Sequence, residues 1–90
     1  VEIGEVKFSG DGLLSGSSGA NTLLGDSARD TLRGLGGADT LYGFFGDDQL
    51  DGGDGVDTLF GGVGHDRLVG GLGTDKLFGG GGNDTYIVDD

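Results

Sequence analysis

Eight side chains with carboxylate or amide oxygens recur every nine residues along the chain. They are Asn21, Asp30, Asp39, Asp48, Asp57, Asp66, Asp75 and Asp84. Carboxylates act as general acids or bases, or they bind a hard cation such as Ca²⁺ through oxygen. A step of nine matches neither the 3.6-residue period of a helix nor the two-residue period of a strand. The acids therefore belong to a repeat architecture, and their chemistry depends on how the repeats stack.

The acid occupies the sixth position of a nine-residue unit. Eight consecutive units begin at Gly16, Gly25, Gly34, Gly43, Gly52, Gly61, Gly70 and Gly79. The fourth position is Gly except at Ala28, and the eighth is Leu except at Tyr86. The second position departs from Gly in the first four units, which have Ser17, Asp26, Leu35 and Phe44 there. We expect the turn of the second unit to be the least regular, because it lacks both of these glycines.

The pattern G-G-x-G-x-D-x-L-x resembles the nonapeptide of the RTX (repeats-in-toxin) family, a calcium-binding parallel β-helix repeat. The match is most specific in residues 52–87, where each of four units has both leading glycines. The resemblance implies an all-β fold, a right-handed parallel β-roll (β-solenoid) of two parallel sheets with two nonapeptide units per coil. Odd-numbered units would form one sheet and even-numbered units the other.

Each unit reads as a turn followed by a short strand. Six turn residues such as GGVGHD precede three strand residues such as RLV, in which the middle Leu points inward. We assign residues 16–87 to eight repeats and residues 88–90 to the end of the array. Residues 1–15 are expected to form an N-terminal cap or degenerate repeat with Leu14 inward, and Tyr86 marks an atypical terminal unit.

Stacking of the units places the acids in two columns, with neighbours about 4.8 Å apart. Charged carboxylates at that distance repel one another, and a divalent cation between each pair reverses the sign of the interaction. Ca²⁺ is favoured because it accepts six to eight oxygens, including backbone carbonyls, in flexible geometry. Zinc prefers nitrogen and sulfur, and the chain has one His and no Cys. An EF-hand needs a closing Glu that the repeats do not have.

The predicted metal ligands are the eight sixth-position residues and glycines whose backbone approaches the ion. The glycines are Gly53, Gly55, Gly62, Gly64, Gly71, Gly73, Gly80 and Gly82. Pairing within the columns predicts about five to six Ca²⁺ ions. Their total positive charge would nearly balance the chain's net charge of −11. The Asn21–Asp39 pair should be the weakest site because Asn brings no charge, and Ala28 is expected to impair the Asp30–Asp48 pair.

The composition predicts a chain that needs its ligand to fold. Hydrophobic residues are 33% of 90 residues, and 24 are Gly, which is costly to order. We therefore expect the chain to be largely disordered without calcium. The acidic balance argues against nucleic acid as a partner, and no apolar run is long enough to span a membrane.

The remaining motifs give little sign of catalysis. His65 is the one histidine and reads as a solvated turn residue, and no G-x-S-x-G sequence is present. We therefore expect no enzymatic activity from these 90 residues, although they could belong to a larger enzyme or toxin.

One outward face is predicted to be apolar. The ninth position of the odd units reads Leu24, Tyr42, Phe60 and Phe78. These residues either cover one another as ordinary strand residues, or they form a surface for a flanking domain or for self-association.

The resemblance also implies a biological role. Such arrays occur in bacterial proteins exported unfolded by type I secretion, and they fold in the calcium-rich medium outside the cell. We expect a secreted, extracellular or cell-surface location and a role in folding and secretion within a larger protein. The alternatives are an adhesin stalk or protein-docking module and, less favoured, an ice-binding solenoid. Ice binding needs a regular Thr or Asn array, which the turns of this chain do not have.

Overall fold

The computed structural model describes residues 5–8, 13–16, 18–25 and 29–87. Within these ranges the chain forms ten β-strands and no helix. The strands are β1 (Glu5–Phe8), β2 (Leu13–Ser15), β3 (Asn21–Leu24), β4 (Thr31–Arg33), β5 (Thr40–Tyr42), β6 (Gln49–Asp51), β7 (Thr58–Phe60), β8 (Arg67–Val69), β9 (Lys76–Phe78) and β10 (Thr85–Ile87). Each strand of the eight repeats includes the last three positions of its unit, as predicted.

The strands alternate between two parallel sheets. One sheet has the order β1-β3-β5-β7-β9 and the other the order β10-β8-β6-β4-β2. Each strand therefore pairs with the strand two units away, and all of these pairs are parallel. This topology confirms the prediction of an all-β solenoid with two nonapeptide units per coil.

The apolar core is a stack of leucines from the eighth position. In one sheet Leu23, Leu41, Leu59 and Leu77 are in register. In the other sheet Leu32, Leu50 and Leu68 are in register. The six inner leucines, all except Leu77, are 0–1% exposed. The flanking strand residues are more exposed, as in the pattern of β5 and β7, so the middle residue points inward as predicted.

Two strands precede the eight units. In β2, Leu14 pairs with Leu32 and packs against the leucine core. In β1, Lys7 holds the register position of Leu23, so the leucine pattern does not extend to this strand. The assignment of residues 1–15 as a cap stays a prediction. The turn residues Ser17 and 26–28, which include Ala28, and the array end at 88–90 lie outside the described residues.

The outward aromatic residues of the first sheet form a stack. The ring centroids of Tyr42 and Phe60 are 4.9 Å apart with planes 6° apart, and those of Phe60 and Phe78 are 5.0 Å apart with planes 10° apart. Phe44 from the adjoining turn stacks on Tyr42 at 5.8 Å. The rings therefore cover one another within the chain, and a role in docking or self-association stays a prediction.

The turns need a left-handed backbone at two positions. From the third unit onward, the second and fourth positions all have positive φ. Glycine adopts this conformation freely, and ten of the twelve positions are Gly. Leu35 (φ 72°) and Phe44 (φ 69°) adopt it despite their side chains. The coil geometry therefore imposes the turn even where the sequence departs from glycine.

Candidate metal centre

The sixth-position acids lie inside the roll rather than on its surface. Asn21, Asp30, Asp39, Asp48, Asp57 and Asp66 are 0–3% exposed, which makes them as buried as the core leucines. The reason is the spacing D-x-L, because residues two apart on an extended chain face the same side. Sequence reasoning treated the acid as a turn residue and missed this consequence. Asp75 and Asp84, near the last coil, are half-buried.

One oxygen of each inner carboxylate binds the backbone of the preceding coil. The N–H of Asp39 donates to Oδ1 of Asp57 at 2.8 Å, and the N–H of Asp57 donates to Oδ1 of Asp75 at 2.8 Å. The same bond recurs in both columns, at 2.7–2.9 Å, for the pairs Asn21–Asp39, Asp30–Asp48, Asp48–Asp66 and Asp66–Asp84. These bonds confirm that residues eighteen apart form columns, and they fix the direction of each carboxylate.

The second oxygen of four of these carboxylates accepts no hydrogen bond. Oδ2 is buried without a hydrogen bond in Asp39, Asp57, Asp66 and Asp75. Buried polar oxygens are nearly always paired, and an unpaired charge in a low-dielectric interior is costly. A recurring set of four such atoms indicates a missing positive partner rather than a local defect.

The raised pKa values of the buried aspartates also indicate that a positive charge is missing beside them. Burial, together with the charges of Asp39, Asp75 and Asp51, raises the pKa of Asp57 to about 7, although the hydrogen bond from the backbone of Asp39 lowers it. Burial raises the pKa of Asp66 to about 6, and it raises the pKa of Asp39 from 3.8. A cation beside these groups would favour their charged forms.

The first-position glycine makes room for the acid. A Cβ built on Gly34 would lie 2.6 Å from Oδ2 of Asp39, and a Cβ on Gly52 would lie 2.6 Å from Oδ2 of Asp57. No real Cβ approaches an oxygen so closely, so any other residue would displace the carboxylate. Sequence reasoning did not give this glycine a role in the site. The signal was present, because the first position is Gly in all eight units.

The glycines predicted as ligands bring the backbones of successive turns together. All eight have positive φ, from 82° to 124°. A Cβ on any of them would overlap the backbone carbonyl of the equivalent residue one coil earlier. At Gly53 and Gly62, those carbonyls belong to Leu35 and Phe44, which also accept hydrogen bonds from Asp54 and Val63 at 2.8 Å. The glycines therefore line the turns as predicted, and their ligand role stays a prediction.

The donor set contains only oxygen. Among the described residues, no group of three or more His, Cys, Asp or Glu side chains comes together. A cation between two coils would therefore use paired carboxylates and backbone carbonyls. That combination fits Ca²⁺, which binds carboxylate and carbonyl oxygens, and it does not fit Zn²⁺.

Asn21 sits in its column differently from the aspartates. Its Nδ2 donates to the carbonyl of Gly19 at 2.9 Å, and its backbone N–H donates to Asp39. The uncharged amide is thus accommodated without a cation.

His65 lies outside the acid columns. It is exposed, as expected for a turn residue, but it also connects neighbouring coils. The backbone N–H of His65 donates to Oδ1 of Asp47 at 2.8 Å, and its ring Nδ1 accepts the backbone N–H of Asn83 at 3.1 Å. This exposed chain of bonds ties three successive coils together beside the metal centre.

The fold and the site together define a class of protein, a parallel β-roll with buried carboxylate columns suited to a divalent cation. The model of the RTX calcium-binding nonapeptide repeat matches residues 8–28, 24–59 and 51–86. The chain belongs to this family and is a Ca²⁺-binding β-roll module, as the sequence predicted. No curated protein and no solved structure matches it significantly. In the described part of the chain, no helix is long and apolar enough to cross a membrane.

Proposed function

We propose that the chain is a calcium-triggered folding module in which the two acid columns hold the ions. The observation that carries this proposal is the set of four buried Oδ2 atoms, in Asp39, Asp57, Asp66 and Asp75, that accept no hydrogen bond. Each column repeats the same geometry, so each pair of coils supplies the same donors. We expect about five to six Ca²⁺ ions in total, at the pairs predicted from the sequence.

The proposed ligands are the sixth-position side chains and backbone oxygens of the glycine turns. Asp39, Asp57 and Asp75 serve the first column together with Asn21, whose site is the weakest. Asp30, Asp48, Asp66 and Asp84 serve the second column. When bound, Ca²⁺ supplies the positive charge that the buried Oδ2 atoms lack.

Electrostatics supports the coupling between calcium and folding. Without calcium, folding must bury several carboxylates of like charge in two rows, and burial already raises the pKa of Asp57 to about 7. The leucine stack is one residue wide and offers limited apolar area. Calcium binding then becomes folding free energy, because the site does not exist in the unfolded chain.

We further propose that this coupling operates outside the cell. Calcium is scarce in cytoplasm and abundant outside, so a chain of this kind stays unfolded during export and folds afterwards. The module would then assist folding and secretion of a larger type I-secreted bacterial protein. Membership of the RTX family supports this role.

A calcium titration followed by far-UV circular dichroism tests the proposal, with magnesium as the control. We expect a cooperative rise of β signal with Ca²⁺ and none with Mg²⁺, which keeps its waters and demands tighter geometry. A chain that is fully folded after calcium has been removed would overturn the proposal. Equal responses to the two ions would overturn the assignment of the columns to calcium.

A further inference from the structure

The fifth position of the even units ties successive turns together through side-chain acceptors. Oδ1 of Asp47 accepts the backbone N–H of His65 at 2.8 Å, and Nδ1 of His65 accepts the backbone N–H of Asn83 at 3.1 Å. These bonds run in the opposite direction to those of the acid column, where Oδ1 of Asp66 accepts the N–H of Asp48 from the preceding coil at 2.9 Å. Neighbouring coils are therefore linked in both directions at the even turns.

The N–H that Asp47 binds shares a peptide plane with a glycine carbonyl of the predicted calcium sites. The N–H of His65 and the carbonyl of Gly64 belong to one planar, trans peptide unit. Because this unit is rigid, a bond that holds the N–H toward one coil directs the carbonyl toward the other. The carbonyl of Gly64 accordingly faces the next coil, where a Cβ on Gly82 would overlap it.

The Asp47 carboxylate lies beside the turn that it holds. It is exposed, and a Cβ on Gly64 would lie 3.1 Å from its Oδ1. The same oxygen accepts the N–H of His65, so Asp47 acts on the turn through the backbone. Its position therefore suits it to fix the direction of the Gly64 carbonyl.

The odd units have no equivalent of this tie. Their fifth positions are Ala20, Ala38, Val56 and Thr74. The side chains of Ala38 and Val56 have no atom that accepts a hydrogen bond, so the corresponding bonds to the N–H groups of Val56 and Thr74 cannot form. The peptide units that contain the carbonyls of Gly55 and Gly73 therefore lack this support.

We propose that Asp47 is a positioning residue for calcium in the second column, which orients the carbonyl of Gly64 through the backbone N–H of His65. A carbonyl that is already oriented loses less freedom when calcium binds, so the site binds the ion more tightly. The turns of the first column receive no such help from their fifth positions. The inference rests on the proposed function, since it requires the glycine turns to supply ligands.

Denaturant unfolding at one fixed calcium concentration tests the role of Asp47. Asp47→Ala removes the acceptor of the His65 N–H, and Val56→Ala is the matched control because it changes an exposed fifth position without an acceptor. We expect the folding equilibrium constant to fall about two- to tenfold in Asp47→Ala, since one hydrogen bond is lost, and to stay close to the parent value in the control. Asp47→Asn keeps a side-chain oxygen and should also stay close to the parent. An unchanged constant in Asp47→Ala, or a loss of the same size in Asp47→Asn, would overturn the role of this hydrogen bond.

A second comparison separates an effect on calcium from a merely structural one. Asp66→Asn removes a charge from the second column, and Asp57→Asn removes the equivalent charge from the first. We expect Asp47→Ala to change the folding constant less in the Asp66→Asn chain than in the Asp57→Asn chain, because the site beside Gly64 is already impaired in the former. Equal effects in the two chains would overturn the positioning role and leave the proposed function intact. A parent chain that calcium does not stabilise would overturn both.

Discussion

The leucine row and the aspartate row share the interior of the roll but differ in what they need. The six inner leucines at position eight are 0–1% exposed and pack against one another. The inner aspartates at position six are equally buried, yet four carboxylates of this row have a buried Oδ2 that accepts no hydrogen bond. The same two-residue spacing along each strand produces both rows. The leucine row is therefore complete by packing alone, whereas the aspartate row needs a cation to balance its buried charge.

Truncating the leucine row should have the largest effect on stability and little effect on ion stoichiometry. Leu59→Ala removes a fully buried side chain and is expected to cost about 2–5 kcal/mol of unfolding free energy in calcium. Leu72→Ala, at a residue 56% exposed, is the control and should cost far less. Denaturant unfolding in excess calcium measures both, and similar losses would show that the leucine stack is not the core.

Neutralising one buried aspartate should stabilise the calcium-free roll and destabilise the calcium-loaded roll. Asp57→Asn keeps an oxygen that can accept the N–H of Asp39 but removes a buried charge. We expect the calcium-free roll to gain stability and the calcium-loaded roll to lose at least about 1–3 kcal/mol, the penalty of an unsatisfied site. Thermal unfolding in calcium measures the loss, and the amount of β signal in EDTA by far-UV circular dichroism measures the gain. A loss of equal size in both conditions would contradict a cation-dependent row.

Acid should stabilise the calcium-free roll. The pKa of Asp57 is about 7 and that of Asp66 about 6 when folded, against 3.8 for the model carboxyl. Between pH 8 and pH 5 the folded chain therefore takes up protons that the unfolded chain does not, and each pKa unit is worth about 1.4 kcal/mol. We expect β signal in EDTA to rise as pH falls from 8 to 5.

The calcium-loaded roll should respond to acid in the opposite direction. Bound Ca²⁺ requires ionised carboxylates, so the calcium concentration for half-folding should increase over the same pH range. A calcium requirement that stays constant from pH 8 to pH 5 would contradict the assignment of buried carboxylates as ligands.

Restoring glycine to the early turns should stabilise the roll modestly. Leu35 has φ 72° where later units have Gly, and a left-handed backbone costs a non-glycine residue about 1–2 kcal/mol. Leu35→Gly should therefore raise stability in calcium by about 1 kcal/mol. Gly53→Ala, at the next turn of the same column, should lower it because the new Cβ meets the carbonyl of Leu35. Thermal midpoints that move in the same direction would contradict this account.

The smallest effect is expected at the outward aromatic stack. The ring centroids of Phe60 and Phe78 are 5.0 Å apart, so the two stacked rings partly cover each other. Size-exclusion chromatography in calcium compares the parent chain with a Phe60→Ser, Phe78→Ser variant. A larger species that only the parent forms would support self-association through this face. Monomers in both cases would remove that possibility.

The sequence predicted the roll because its period was unusually strict. Gly at the first position of eight units and Leu at the eighth position of seven hold the same phase over 72 residues, which predicts the leucine core. The strand order, with two units per coil, was predicted from the resemblance to the RTX nonapeptide. The burial of Asp57 and the equivalent aspartates was not predicted, although the spacing D-x-L implies it, because residues two apart on a strand face the same side. The left-handed conformation of Leu35 was also missed, because leucine disfavours a positive φ. Only the stacking of this turn on the neighbouring coils imposes that conformation.

Counting the calcium bound by paired variants tests the central claim most directly. Asp57 and Asp54 belong to the same unit, but Asp57 is 0% exposed in the column whereas Asp54 is exposed on the turn. Equilibrium dialysis should give about five to six ions for the parent chain and for Asp54→Asn, and about two fewer for Asp57→Asn, which belongs to two proposed sites. Equal stoichiometry in all three chains, or an equal loss in both variants, would contradict the claim that the buried columns hold calcium.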